Sequence, residues 1–490
     1  MDEIKKGLVS KRGNENGLSS PYRLGYHIIP HKGWLNDPNG LIQIENEYHV
    51  FFQHNPFSAK WGLMHWGHFK SNDLVHWEQL PIALTPGDCN DVAGCFSGSA
   101  VEDDGVLNLI YTGHNYADAE KKIPNEVQCR AFSIDGTHFK KDLQNPVIQE
   151  HPESGSGDFR DPKVWKHGQF WYLVVGTTKD GIGKVVLYRS TDLQNWAYQG
   201  VLAQSDGSQG YMWECPDFYK LDGKYVLMFS PQGIKPSGDH YQNLYQTGYL
   251  IGDYDYSTNI FNHGPFTELD HGHDFYAVQS FEDNKGRRIA IGWMDMWMSP
   301  MPEAKEGWAG ALTLPREINL VKGKKIRMTP VKEVELLRIR QLLSCREEQI
   351  IGEKTFSFKE DLLEIEVEFD EISASDFGIS LRVGQTEKSV IHYDTKFQKL
   401  ILDLTKSGQA ARGIRQVSLP LEGSLKFHIF LDRSSIEVFV NDGDVVLTSR
   451  IYPTEKNQGM QIFTNNGNVK IRNFIIWELE DIWKNMNSNS

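Results

Sequence analysis

Along the first two thirds of the chain, short apolar and aromatic runs follow polar turns at a steady interval. They are YHVFFQ from Tyr48, VLNLIYTG from Val106, FWYLVVGTT from Phe170, YVLMFSPQ from Tyr225 and RIAIGWM from Arg288. Their starts lie 58, 64, 55 and 63 residues apart. Such short runs, bounded by turn residues and without a helical apolar period, are strands. A second element keeps step: Ser71-Asn72-Asp73-Leu74 before Trp77, Ser133-Ile134-Asp135-Gly136 before Phe139, and Ser190-Thr191-Asp192-Leu193 before Trp196. A unit of about 60 residues, made of strands and repeated five times, predicts five blades around an axis. An ordinary many-stranded domain with accidental internal similarity is the rival architecture.

The pattern changes further along. Leu363 to Phe369 (LEIEVEF), Phe427 to Leu431 and Ser435 to Val440 (SIEVFV) alternate apolar and polar residues, with turns such as Asn441-Asp442-Gly443 between them. Period-two alternation predicts half-buried antiparallel strands, most simply a β-sandwich. Between the two regions, Lys322 to Lys325 form a basic turn, and Val334, Leu337 and Leu342 recur at roughly helical spacing. The expected organisation is all-β: a five-bladed β-propeller over residues 22–325, a linker helix over 326–345, and a C-terminal β-sandwich over 346–485. Composition divides the chain at the same place. Eleven of the 13 Trp fall between residues 34 and 308, and 15 of the 17 His precede residue 274.

Charge and cysteine usage narrow the function classes. With 51 Lys+Arg against 65 Asp+Glu, the net charge is −14, which argues against nucleic acid or an anionic membrane as the main partner. No apolar run approaches the roughly 18 residues of a membrane helix, and the opening MDEIKKGLVSKRGNENG lacks the apolar stretch of a secretory leader, so a cytoplasmic location is expected. The five Cys, at 89, 95, 129, 215 and 345, are too few and too scattered for a disulfide framework. His65 with His68, and His271 with His273, bring no third ligand at a metal-site spacing. Gly155-Ser156-Gly157 lacks the strand, Lys and helix of a phosphate loop and is expected to be a turn near the channel. No metal or cofactor is expected, and the oligomeric state is left open.

The repeat itself locates candidate chemistry. Asp37 lies 11 residues before Tyr48, Asp161 nine before Phe170, and Glu214 11 before Tyr225; Pro38, Pro162 and Pro216 follow within two residues. Each acid would stand at the entrance of a blade's first strand, where proline tolerates a missing ladder bond. The matching places in the second and fifth repeats are Phe96-Ser97 and the neighbourhood of Asp274 to Ala277. Equivalent positions in a propeller surround one end of the central channel, so three acids would converge there. Like-charge repulsion makes that costly unless the site uses it. Two carboxyls about 5 to 5.5 Å apart across a glycosidic bond can perform a double displacement with retention. The rival reading has the acids capping turns or pairing with nearby Arg and Lys.

At these residues the sequence resembles glycoside hydrolase family 32, the invertases, sucrose-6-phosphate hydrolases and fructanases. The likeness rests on Trp34-Leu35-Asn36-Asp37-Pro38-Asn39-Gly40, Trp61-Gly62, His65-Trp66-Gly67-His68, Phe96-Ser97-Gly98-Ser99, Arg160-Asp161-Pro162 and Glu214-Cys215-Pro216, and covers about residues 25 to 480. Leu35 departs from the family, where methionine is frequent there. The resemblance implies a five-bladed catalytic propeller followed by a β-sandwich. It also implies Asp37 as nucleophile, Glu214 as general acid/base and Asp161 as the stabiliser of the fructosyl hydroxyls. Glu214 must then stay protonated long enough to serve the leaving oxygen, which calls for a raised pKa. Arg160 would hold Asp161 ionised, and Cys215 is either a modulator of Glu214 or a packing residue. Asn36, Gln53, Phe96 and Ser97 are expected to contact the fructosyl ring, with Trp34, Leu35 and Trp61 beside them as apolar contacts.

The implied activity is retaining hydrolysis of the terminal β-D-fructofuranoside of sucrose or sucrose 6-phosphate. Fructan hydrolysis or fructosyl transfer shares the first half-reaction and stays open, as does a non-catalytic sugar-binding propeller. A phosphorylated substrate would need a Lys or Arg at the glucosyl end, and the sequence does not single one out.

Overall fold

A computed structural model describes residues 21–454 and 457–484. The opening stretch read for a leader lies outside these residues, as does residue 485, the end of the expected sandwich. Among the described residues, five antiparallel four-strand meanders follow one another in chain order and form the blades of a propeller. Their innermost strands are Gly33–Ile44, Gly94–Asp103, Phe159–His167, Met212–Leu221 and Tyr276–Glu282. The five apolar runs of the sequence are the second strands, buried on both faces between neighbouring blades. That double burial is why they are apolar throughout rather than alternating.

The blades adhere through interblade cores. Phe51 and Trp66 of the first blade pack with Leu109 and Tyr111 of the second, while Val174 and Leu187 of the third pack with Phe229 and Leu250 of the fourth. The ring closes where Trp308–Ala309 pairs in parallel with Gly33 and Trp34 of the first inner strand. The recurring Ser-x-Asp element is a turn between third and fourth strands. Asp73 Oδ1 accepts from the amides of Val75 (3.1 Å) and His76 (2.8 Å), and Asp135 and Asp192 repeat the arrangement.

The second region is a sandwich of two layers folded from one continuous set of strands. Arg338–Ser357 and Gly459–Leu479 run antiparallel through both layers. One end of Gly459–Leu479 pairs with Asp376–Val383 and the other with Leu363–Asp370. Phe377, Ile379 and Tyr393 of one layer meet Ile365, Val367 and Phe427 of the other in a fully buried core. The turn at Asn441-Asp442-Gly443 has positive φ at all three residues and joins Ser435–Val440 to Val445–Arg450.

The expected linker helix over 326–345 is not formed. Lys325–Pro330 is the outer strand of the fifth blade, paired with Arg316–Val321, and Lys322 to Lys324 turn between them. A single 3₁₀ turn, Lys332–Leu337, follows, and Arg338 begins the long sandwich strand. Val334 and Leu337 are buried three residues apart, which one tight turn satisfies; Leu342 lies on the strand. Among the described residues, no helix is long and apolar enough to cross a membrane.

Candidate active site

All five inner strands carry an irregularity at the same height. The pairing slips between Leu35 and Pro38, Phe96 and Gly98, Arg160 and Lys163, Glu214 and Asp217, and Tyr276 and Gln279. A bulge puts two residues opposite one and turns a side chain out of the ladder. Asp161, Cys215 and Ala277 take positive φ at these points, at 68°, 51° and 53°. Close approach of the blades is part of the device. At Gly176, opposite the third bulge, a Cβ would lie 2.0 Å from the Trp213 carbonyl oxygen.

The bulges aim Asp37, Asp161 and Glu214 into one cavity of about 550 Å³, lined also by Asn36, Gln53, Trp61, Phe96, Ser97 and Arg160. Two of the expected contacts are placed elsewhere. Leu35 is fully buried in the hydrophobic core, because the residue before the bulge still obeys the strand's alternation. Trp34 is buried behind the cavity among Trp293 and Trp297, and its indole N–H donates to Asn36 Oδ1 at 2.7 Å. It therefore orients Asn36, whose amide in turn donates to Asp37 Oδ1 at 3.0 Å. Ser97 Oγ donates to Asp37 Oδ2 at 2.7 Å.

Burial pushes Asp37 up from its ordinary 3.8 to about 6; Ser97 and Asn36 oppose the rise and nearby Glu214 adds to it. Asp161 is driven well above its ordinary value, first by burial, then by the charges of Glu214 and Asp37, with Arg160 pulling the other way. The backbone N–H of Cys215 donates to Asp161 Oδ2 at 2.9 Å, and its thiol stands 3.6 Å from both Asp37 and Asp161. Cys215 thus joins those two acids rather than modulating Glu214.

Arg160 acts on Asp161 through its charge, as expected, but its hydrogen bonds go to other acids. The positive φ at Asp161 separates the directions of the two neighbours, and the guanidinium reaches Glu214 (3.0 Å), Glu126 (3.1 Å) and Asp158 (2.9 Å). Glu214 is further addressed by Gln232 Nε2 at 2.7 Å and the Tyr276 hydroxyl at 2.5 Å. Sequence reasoning missed Glu126, Gln232 and Tyr276. Only Tyr276 had a signal, since it falls in the fifth repeat's equivalent of the acid positions. The histidines considered for a metal are engaged in packing: His68 bonds His49 and stacks on Phe51, and His273 bonds Ser449.

Two family models match the chain, the glycosyl hydrolases family 32 N-terminal domain over residues 27–330 and the family 32 C-terminal domain over residues 333–478. A sucrose-6-phosphate hydrolase of Zymomonas mobilis is 44% identical, with 98% of this chain and 96% of that protein aligned. A β-fructofuranosidase of Bombyx mori solved in complex with sucrose has a TM-score of 0.85 at 36% identity, covering 98% of both chains. The sucrose-6-phosphate hydrolase of Lactobacillus gasseri has a TM-score of 0.86 at 31% identity, covering 95% of each.

Proposed function

The chain belongs to glycoside hydrolase family 32, and on that footing we propose that it hydrolyses the terminal β-D-fructofuranoside of sucrose or sucrose 6-phosphate with retention. The observation that carries this reading is the meeting of acids from the first, third and fourth blades in one cavity, delivered by bulges at equivalent heights.

The Asp37 carboxylate adds to fructosyl C2 while the glycosidic C–O bond breaks, its electron pair passing to the leaving oxygen. Glu214 gives that oxygen a proton, so the leaving sugar departs as a neutral alcohol. Water then attacks C2, Glu214 takes its proton, and the bond to Asp37 breaks. Asn36 and Ser97 fix both oxygens of Asp37, which reduces the reorganisation needed for attack. With a carboxyl at about 6, Asp37 is mostly ionised at neutral pH yet only lightly solvated. Arg160, Gln232 and Tyr276 hold Glu214 in place, and Asp161, locked by the Cys215 amide, accepts from hydroxyls of the sugar.

Measuring fructose released from sucrose, sucrose 6-phosphate and inulin tests the reading. We expect release from the disaccharides and its loss in Glu214→Gln with sugar binding retained. A protein that binds these sugars but releases nothing is a binding propeller instead, and release from inulin alone moves the assignment to fructans.

A further inference from the structure

The cavity is graded in accessibility. Asn36, Gln53, Ser97 and Asp161 are buried at its floor, whereas Trp61, Lys122, Leu244 and Met298 are exposed at its mouth. On the fructosidase reading above, the fructosyl unit sits at the floor beside Asp37, and the leaving sugar must occupy the mouth because the broken bond joins the two. Any charged substituent on the leaving sugar is therefore met by the residues of the mouth.

Five carboxylates line this cavity: Asp37, Glu126, Asp158, Asp161 and Glu214. Against them stand two permanent cations, Arg160 and Lys122. Arg160 is committed to three of the carboxylates at 2.9 to 3.1 Å, and His114 bonds Glu126 at 3.1 Å. A phosphate carried deep into the cavity would meet a surplus of like charge.

Lys122 differs from Arg160 on both counts. It stands in the turn between Val106–Asp118 and Ile123–Ser133, a hairpin whose first strand also gives Tyr116 to the cavity wall. Its ammonium forms no salt bridge among the described residues. Asp118, at the end of the first strand, is taken by the neighbouring Lys121 at 3.0 Å. An ammonium on a long stem can follow a phosphate as a point charge.

We propose that Lys122 recognises a phosphate on the leaving sugar and sets the preference between the neutral and the phosphorylated disaccharide. One cation at an open mouth, with no second among the described residues that line it, gives a modest, salt-sensitive preference rather than an absolute requirement.

The test compares kcat/KM for sucrose 6-phosphate with that for sucrose in the wild type, Lys122→Ala, Lys122→Glu and Lys122→Arg. The ratio is expected to fall about tenfold in Lys122→Ala, further in Lys122→Glu, and to hold within a few-fold in Lys122→Arg. Raising the salt should lower the wild-type ratio but not that of Lys122→Ala, where it only screens the repulsion from the carboxylates. Equal ratios in the wild type and Lys122→Ala, with both sugars turned over, overturn the assignment of Lys122 alone. So does a wild type that hydrolyses sucrose but not sucrose 6-phosphate. No fructose from either disaccharide overturns the parent reading, and this inference with it.

Discussion

At the cavity floor, burial lifts Asp37 and Asp161 above the ordinary carboxylate range. At the seam between propeller and sandwich, Asp432 and Glu437 are buried at least as deeply and fall below it. In all four the largest influence is desolvation, which raises them; what differs is the company. At the seam, charges alternate. Asp432 faces His27 Nδ1 at 2.8 Å, His27 Nε2 faces Glu437 at 2.7 Å, and Glu437 meets Arg316 at 2.5 Å, which also holds Asp270 at 3.1 Å. At the floor the acids face one another, a neutral thiol and the hydroxyl and amide of Ser97 and Asn36, while Arg160 spreads its bonds over Glu214, Glu126 and Asp158 and its charge does not offset the burial of Asp161. The seam is not uniform: Asp274 and Asp295 are raised beside Arg412 and Arg450, with Glu303 adding like charge at Asp295. Burial thus sets a common cost, and the arrangement of partners decides whether it is offset for cohesion or left standing for reactivity.

The sharpest way to break this comparison is to remove one charge from each region. Asp37→Asn is expected to lower kcat roughly ten-thousandfold or more, as loss of a nucleophile does, while the melting temperature holds or rises because an uncompensated buried charge is gone. A melting temperature that falls by many degrees would mean that the floor, too, is built for cohesion. Arg316→Met is the opposite experiment. It leaves Asp270 buried without its cation and Glu437 with His27 alone, a loss of about 3–5 kcal/mol, while the kcat of the folded protein stays within a few-fold of wild type. Thermal unfolding and single-substrate kinetics on the same samples separate the two.

The parts of the molecule legible in the sequence are those that local pattern determines. The second strands of the blades are buried on both faces, so their apolar runs and spacing give the blade count. Asp37, Asp161 and Glu214, which the cavity brings together, each stand just before a proline and nine to 11 residues ahead of such a run. What was missed depends on directions that spacing does not carry. Leu35 and Asn36 are adjacent, yet strand alternation turns one to the core and the other to the cavity, a choice that the motif's residue types do not carry. Arg160 acts by charge on its sequence neighbour Asp161, but its hydrogen bonds to Glu126 and Glu214 reach residues of other blades that spacing does not bring together. The helix expected over 326–345 lost to tertiary pairing on both sides of the Lys332–Leu337 turn: residues up to Pro330 complete the fifth blade, and those from Arg338 onward supply a strand that spans both sandwich layers.

A smaller effect is expected at the partners of Glu214. Tyr276 is buried behind the cavity, and its hydroxyl is the short contact to Glu214 Oε2. Tyr276→Phe removes one hydrogen bond to a charged group, about 1.5–3 kcal/mol, and should lower kcat about ten- to a hundredfold with KM little changed. Equal losses in kcat and in thermal stability would place Tyr276 with the seam residues, as a cohesive element rather than a positioning one.

The smallest expected effect has a sign that distinguishes the two regions. Asp37 binds its proton more tightly folded than unfolded, so its contribution to stability falls as the pH rises from about 4 to about 6. The rise from 3.8 to about 6 is roughly two units, about 3 kcal/mol at most, and water in the open cavity reduces that to about 1–2 kcal/mol. Asp432 and Glu437 have the opposite sign: their contribution is present above the ordinary carboxylate range and is lost as the pH falls through their lowered values. His27, raised from 6.5, contributes below that value and loses its contribution as the pH climbs through its folded one. The stability of Asp37→Asn relative to wild type should therefore grow between pH about 4 and about 6 and then level off. In His27→Gln the alkaline decline should be weaker than in the wild type. Melting temperatures between pH about 4 and about 6 check the first and those above pH 6.5 the second, and an Asp37→Asn difference that does not change with pH would show that the floor carboxyl titrates as an ordinary surface acid.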